Sequence, residues 1–168
     1  MRLIRAALLG ATLLSGCDAA FAQAKPSVVA QLPMPAPDAL LMMIRVHVIA
    51  VGQAIQTANF EVVRALASQE FRAKTSNASL TSTFAPVSAL QLDMSPVAVV
   101  TPQLTESPFV GADQQLKLVG VFATRPVELP FWLLFKNEGG VWKLADVSVG
   151  ARAAVVAVVA PNPAKTKR

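Results

Sequence analysis

The chain has 168 residues, 54% of them hydrophobic and only 15% charged, a balance that excludes a disordered chain and suits one domain with a buried core. The formal net charge of +5 sits at the termini: between Pro37 and Gly150 eight Lys and Arg stand against nine Asp and Glu, a net of −1. The folded part therefore has no basic field to draw nucleic acid. The single cysteine, Cys17, excludes an internal disulfide and a cysteine metal cluster.

Arg2 and Arg5 precede an apolar run from Ala6 to Leu14. This is the order of a secretory signal, and the run is too short for a bilayer span, which takes about 20 residues. Leu14-Ser15-Gly16-Cys17 then resembles the lipobox of bacterial lipoproteins. That resemblance implies a signal of residues 1–16, cleavage before Cys17 and lipidation of its thiol, with the lipid as the only membrane contact. It also implies inner-membrane retention, because Asp18 follows the cysteine. Ala20-Phe21-Ala22 is a rival cleavage signal, with small residues at alternate positions. Cleavage after Ala22 would make residues 1–22 the signal, discard Cys17 and release a soluble protein. Both routes predict an exported, periplasmic protein. Residues 23–37 are rich in Ala and Pro and read as a linker or tether.

A long helix is predicted from Asp38, as its cap, to about Thr57. Leu41, Ile44, Val48, Val51 and Ile55 form one apolar stripe. Met42, Val46 and Ile49 make its far side apolar too, so it is expected either between layers or against a partner. Arg45 and His47 argue against a transmembrane span. A second helix fits Phe60 to Ala67 with Asn59 as cap, and a third fits Asn77 to Leu90, kinked or split at Pro86. Asp93-Met94-Ser95-Pro96 reads as a turn. Four strands follow: Val97–Thr101, Leu116–Ala123, Val127–Lys136 and Val141–Val149, the last two joined by the turn Asn137-Glu138-Gly139-Gly140. Pro130 marks an edge or a bulge. Residues 151–168 read as a flexible basic tail, or as a strand that docks on a neighbour.

Three helices followed by about four strands give an α+β domain over 38–150, with helices packed on one face of an antiparallel sheet. Phe131-Trp132-Leu133-Leu134-Phe135, Gly140-Val141-Trp142-Lys143-Leu144 and Val147-Ser148-Val149 resemble the closing hairpin of the nuclear transport factor 2-like superfamily. The resemblance implies a cone: a curved sheet wrapped around the long first helix, with a pocket between them. It implies no single function, since that superfamily holds enzymes and binding domains alike.

His47 and Asp146 are the candidate catalytic groups. His47 lies beside the apolar stripe and could point into the cone as an acid, base or ligand anchor, or sit half-buried with one hydrogen bond. Asp146 alternates with Trp142 and Leu144. It would be a pocket carboxylate if that face is concave, and a solvated one if Val141, Ala145, Val147 and Val149 pack the core instead. Arg45, His47, Val51, Phe131 and Trp142 form the candidate ligand pocket. Arg45 and Arg125 are candidates for an anion, and Asp93 for a turn. No metal ligand set or phosphate loop is present and no cofactor is called for. The expected role is therefore non-enzymatic binding of a small apolar ligand or a protein partner, with a homodimer as one form. The alternatives are an isomerase- or dehydratase-like enzyme and a subunit of an envelope assembly.

Overall fold

The computed structural model describes residues 33–154. The signal, both cleavage points, Cys17, most of the linker and the tail beyond Ala154 lie outside them.

Helix α1 spans Pro37–Thr57, with Pro37 at its first position, where a missing N–H costs nothing. Ala36 is the N-cap and makes no side-chain bond. Asp38, expected as the cap, instead lies in the first turn, where its charge complements the helix dipole. Leu40, Ile44, Val48, Val51 and Ala54 form the buried stripe. Leu41 and Ile55 are only half-buried, because the core-facing stripe falls one position earlier at both ends. At 21 residues α1 is long and apolar enough to cross a membrane by length and composition, Arg45 and His47 notwithstanding, so these do not by themselves argue against a span. Its packing does: Ile44, Val48 and Val51 are buried in a core shared with a sheet.

Helices α2 (Glu61–Leu66), α3 (Gln69–Lys74) and α4 (Asn77–Ser88) follow. Asn59 Oδ1 accepts the amide of Glu61, although Phe60 is the N-cap of α2. Helix α3 was not expected; six residues are too few to show a 3.6-residue period. Its start is nonetheless marked by Ser68, whose hydroxyl accepts from the Phe71 amide at 3.2 Å. Ser76 caps α4 in the same way through Ser79. Pro86 lies inside α4 without splitting it, and the helix ends two residues later.

The expected first strand, Val97–Thr101, is a 3-10 turn over Ser95–Ala98. Asp93 Oδ1 accepts from the Ser95 amide at 2.9 Å and Pro96 sits at the turn's start, so local turn chemistry overrides the β-branched run. Val97 is buried from that turn rather than from a strand.

The sheet comprises β1 (Gln103–Leu104), β2 (Phe109–Val110), β3 (Gln115–Phe122), β4 (Val127–Glu138), β5 (Val141–Val149) and β6 (Arg152–Ala153). Its order is β1-β3-β4-β5 with every pairing antiparallel; β2 also pairs with β3, and β6 with the start of β4. The α+β class holds, with four helices and six strands among the described residues. The strands beyond the expected set (β1, β2 and β6) have two residues each. Glycines 139 and 140 form the β4–β5 turn at φ 62° and 86°, with Asn137 Oδ1 accepting from the Gly140 amide.

One sheet face packs on the helices. Leu116, Leu118, Phe122, Leu129, Phe131, Leu133, Phe135, Leu144, Val147 and Val149 all join the core cluster. Gly120 faces the Phe131 ring across the β3–β4 pair; a Cβ there would lie 2.6 Å from Phe131 Cζ and also strike the Gln103 carbonyl. The β5 edge is covered at one point. Ala67 makes a parallel bridge to Leu144, the Ser68 amide donates to the Leu144 carbonyl at 2.7 Å, and α3 begins just beyond.

Candidate functional site

His47 points into the core and is 7% exposed. Helical geometry brings its Nδ1 within 2.7 Å of the Met43 carbonyl one turn back, so the Nδ1–H donates there. The imidazole meets the Phe135 ring edge-on, with centroids 4.8 Å apart. Burial pushes its pKa below the usual histidine value, against the raising effect of the Met43 bond, and Lys143 pushes it lower still. A neutral imidazole held by a backbone carbonyl and an aromatic edge is a packed core residue. Val51 and Phe131, its expected pocket companions, are buried in the same cluster, and Trp142 is half-buried against it.

Asp146 stands elsewhere. The register slips between Leu134 and Phe135: Phe135 pairs with Leu144, but Leu134 pairs with Asp146, leaving Ala145 as an extra residue in β5. This bulge resolves the two competing readings of the strand. Leu144 before it and Val147 after it both face the core, while Asp146 is exposed on the other side. Asp146 Oδ1 accepts from the Val147 amide at 2.8 Å. Asp146 and His47 therefore lie on opposite sides of the sheet and share no chamber.

Asp146 does line a groove. Together with Leu134, Ala145 and Gln115 from the sheet, and Ser68, Glu70, Phe71, Lys74 and Thr75 from the α3 side, it bounds a space of about 340 Å³. Glu70 at its rim pairs with Lys74 at 2.6 Å and Lys136 at 3.2 Å, and both lysines hold its pKa below the usual carboxylate value. Asp93, bonded to Ser95, is shifted in the same direction.

A second groove of about 340 Å³ lies on the outer sheet face, lined among others by Val119, Pro130, Trp132 and Ser148. Val119 pairs directly with Trp132, and Trp132 with Ser148. Leu134 continues the apolar strip along β4, half-buried like Trp132. Three ion pairs stand around it: Lys117–Glu106, Lys136–Glu70 and Arg152–Glu128. Sequence reasoning placed Trp132 and Leu134 in the closing hairpin without seeing that they form a surface. The signal was their alternation with Phe131, Leu133 and Phe135.

The two arginines do not converge. Arg45 reaches from α1 to the Val100 carbonyl at 3.4 Å, and its buried Nε has no hydrogen-bond partner. Arg125 is exposed in the β3–β4 loop. Cys17 lies outside the described residues. Among the described residues no group of three or more His, Cys, Asp or Glu is placed to hold a metal ion. No family model, no curated protein and no solved structure matches the chain.

Proposed function

We propose that the chain is an exported domain of the nuclear transport factor 2-like kind that works by binding a protein partner. The observation that carries this reading is a filled interior. Val48, Val51, Leu118, Leu133, Phe135 and Leu144 are fully buried where a cone of this kind would hold a ligand. A small apolar ligand would have to open that core. An isomerase-like reaction would need His47 and a carboxylate in one chamber, and Asp146 is on the other side of the sheet. Superfamily membership is supported by the long helix laid on an antiparallel sheet and by the closing hairpin. Export is supported by the Arg2–Leu14 signal pattern.

The outer face is the surface that suits a partner. Its centre carries a tryptophan, and three ion pairs and the exposed Asp146 stand around it, the anatomy of a protein interface. Three of the charged pairs around it neutralise one another, which limits like-charge repulsion between two copies, and a second copy is the partner we assign. Sedimentation of the chain from Gln23 to Arg168 should show a monomer–dimer equilibrium between about 1 μM and 500 μM. Trp132→Arg should weaken it about tenfold or more. A wild-type chain that stays monomeric throughout would refute the assignment.

A further inference from the structure

The outer face of the sheet carries an ordered row across its strands. Phe109 on β2 pairs with Lys117 on β3, Lys117 with Leu134 on β4, and Leu134 with Asp146 on β5. Paired residues share a face, and the neighbours Val110, Leu116 and Leu133 are buried, so these four side chains point away from the core. The row reads aromatic, cation, apolar, anion, with about 5 Å from one strand to the next. Phe109 is 64% exposed at one end. Beyond Asp146, at the other end, α3 and β5 enclose the groove of about 340 Å³ walled by Phe71, Ala145 and Leu134. Asp146 takes the amide of Val147 and is in no ion pair among the described residues. One surface thus carries a knob and a hole, and a cation and an unpaired anion, on opposite sides of β4.

Two copies that meet face to face here are related by a two-fold axis lying between the sheets. The row decides how that axis runs. An axis across the strands sets Lys117 against the partner's Lys117 and Asp146 against the partner's Asp146, and like charges opposed in this way repel. An axis along β4 reverses the row. Lys117 then comes over the partner's Asp146, and Asp146 over the partner's Lys117, one strand to either side of the axis. Trp132 and Leu134 lie on the axis and meet their own counterparts. Lys136 does so too, but Glu70 neutralises it at 3.2 Å. Lys117 keeps Glu106 as well, since an ammonium has three donors. Two strands out from the axis, Phe109 falls on the partner's groove between α3 and β5. Stacked sheets are turned by about 30°, which displaces the outer strands by a few Å, within reach of these side chains. Four strands about 5 Å apart and about 30 Å long offer roughly 600 Å² per copy, the lower end of a standard interface.

We infer that two copies join about an axis along β4, with each Phe109 seated in the partner's α3–β5 groove and each Lys117 paired with the partner's Asp146. This rests on the dimer reading above, and the test separates the two. In sedimentation of the chain from Gln23 to Arg168, Lys117→Glu and Asp146→Lys should each weaken self-association about tenfold or more, because each brings like charges together twice. The double variant Lys117→Glu/Asp146→Lys remakes both pairs with their signs exchanged and should dimerise within about threefold of wild type. An equimolar mixture of the two single variants should form a heterodimer, which misfolded chains could not do. Phe109→Ala should also weaken the dimer about tenfold, with an unchanged melting curve. If Trp132→Arg dissociates the dimer while the charge variants and Phe109→Ala leave it intact, the dimer stands and this register is overturned. Rescue by mixing without rescue in the double variant would overturn it too, in favour of the axis across the strands. A wild-type chain that is monomeric throughout removes both readings.

Discussion

His47 illustrates how one residue can look catalytic in a sequence and be structural in the fold. Its spacing along the helix turns it inward, and there it finds the Met43 carbonyl and the Phe135 ring instead of a carboxylate. Burial lowers its pKa, so between the ordinary value of 6.5 and the lower folded value the unfolded chain binds the proton and the folded chain does not. Stability from this group is full above about pH 6.5 and falls as the pH drops through the folded value. The urea midpoint should therefore decline with acidification below about pH 6.5, and His47→Gln should flatten that decline. Equal slopes for the two proteins would show that acid acts elsewhere. Glu70 is the contrasting case: its pKa is also lowered, but it stands fully exposed between Lys74 and Lys136, where solvent screens the pairs.

At the scale of elements, the bulge in β5 is the feature that decides what Asp146 does. One inserted residue, Ala145, puts two core side chains on the same face three positions apart and turns the carboxylate outward onto the Val147 amide. β5 ends the strand order β1-β3-β4-β5, so a charged side chain bonded to its own strand is the kind of device that keeps edges from pairing with other chains. Asp146→Val should leave the helical circular dichroism unchanged and speed thioflavin-positive aggregation several-fold, whereas Asp146→Asn, which keeps an acceptor, should not. An unchanged rate for the valine variant would remove the edge-guarding role. The bulge also marks the limit of what periodicity can show. Alternation along β4 does put Phe131, Leu133 and Phe135 on one buried face, and the Gly139-Gly140 turn marks the hairpin. It could not choose between Leu144 and Val147 on β5, because both choices assumed unbroken alternation and both residues turned out to be inside. Helix α3 and the two-residue strands escaped notice for another reason: they are too short to show a period, and what holds them is pairing and packing with distant parts of the chain.

For the whole molecule, α1 carries two loads on one helix. One side supplies the core and the other stays apolar at the surface, which is why composition alone makes it pass for a membrane span. If the chain is exported as proposed, its cleavage site decides whether a lipid holds it. The native chain should be recovered from the envelope with an acylated Cys17 at its N-terminus, in the membrane fraction; a mature mass beginning at an unmodified Gln23 would show release into the periplasm instead. The single bridge from Ala67 to Leu144 has a kinetic consequence as well. The two residues lie more than half the described domain apart in sequence, and the bridge joins Ala67 to the outer strand of the β4–β5 hairpin. Closing so long a loop is entropically slow, whereas the hairpin is local. The stretch from Ala67 through α3 is thus expected to be the last part of the domain to lock and the first to open, and the Ser68 amide, which donates to Leu144, is the proton whose exchange would time both events.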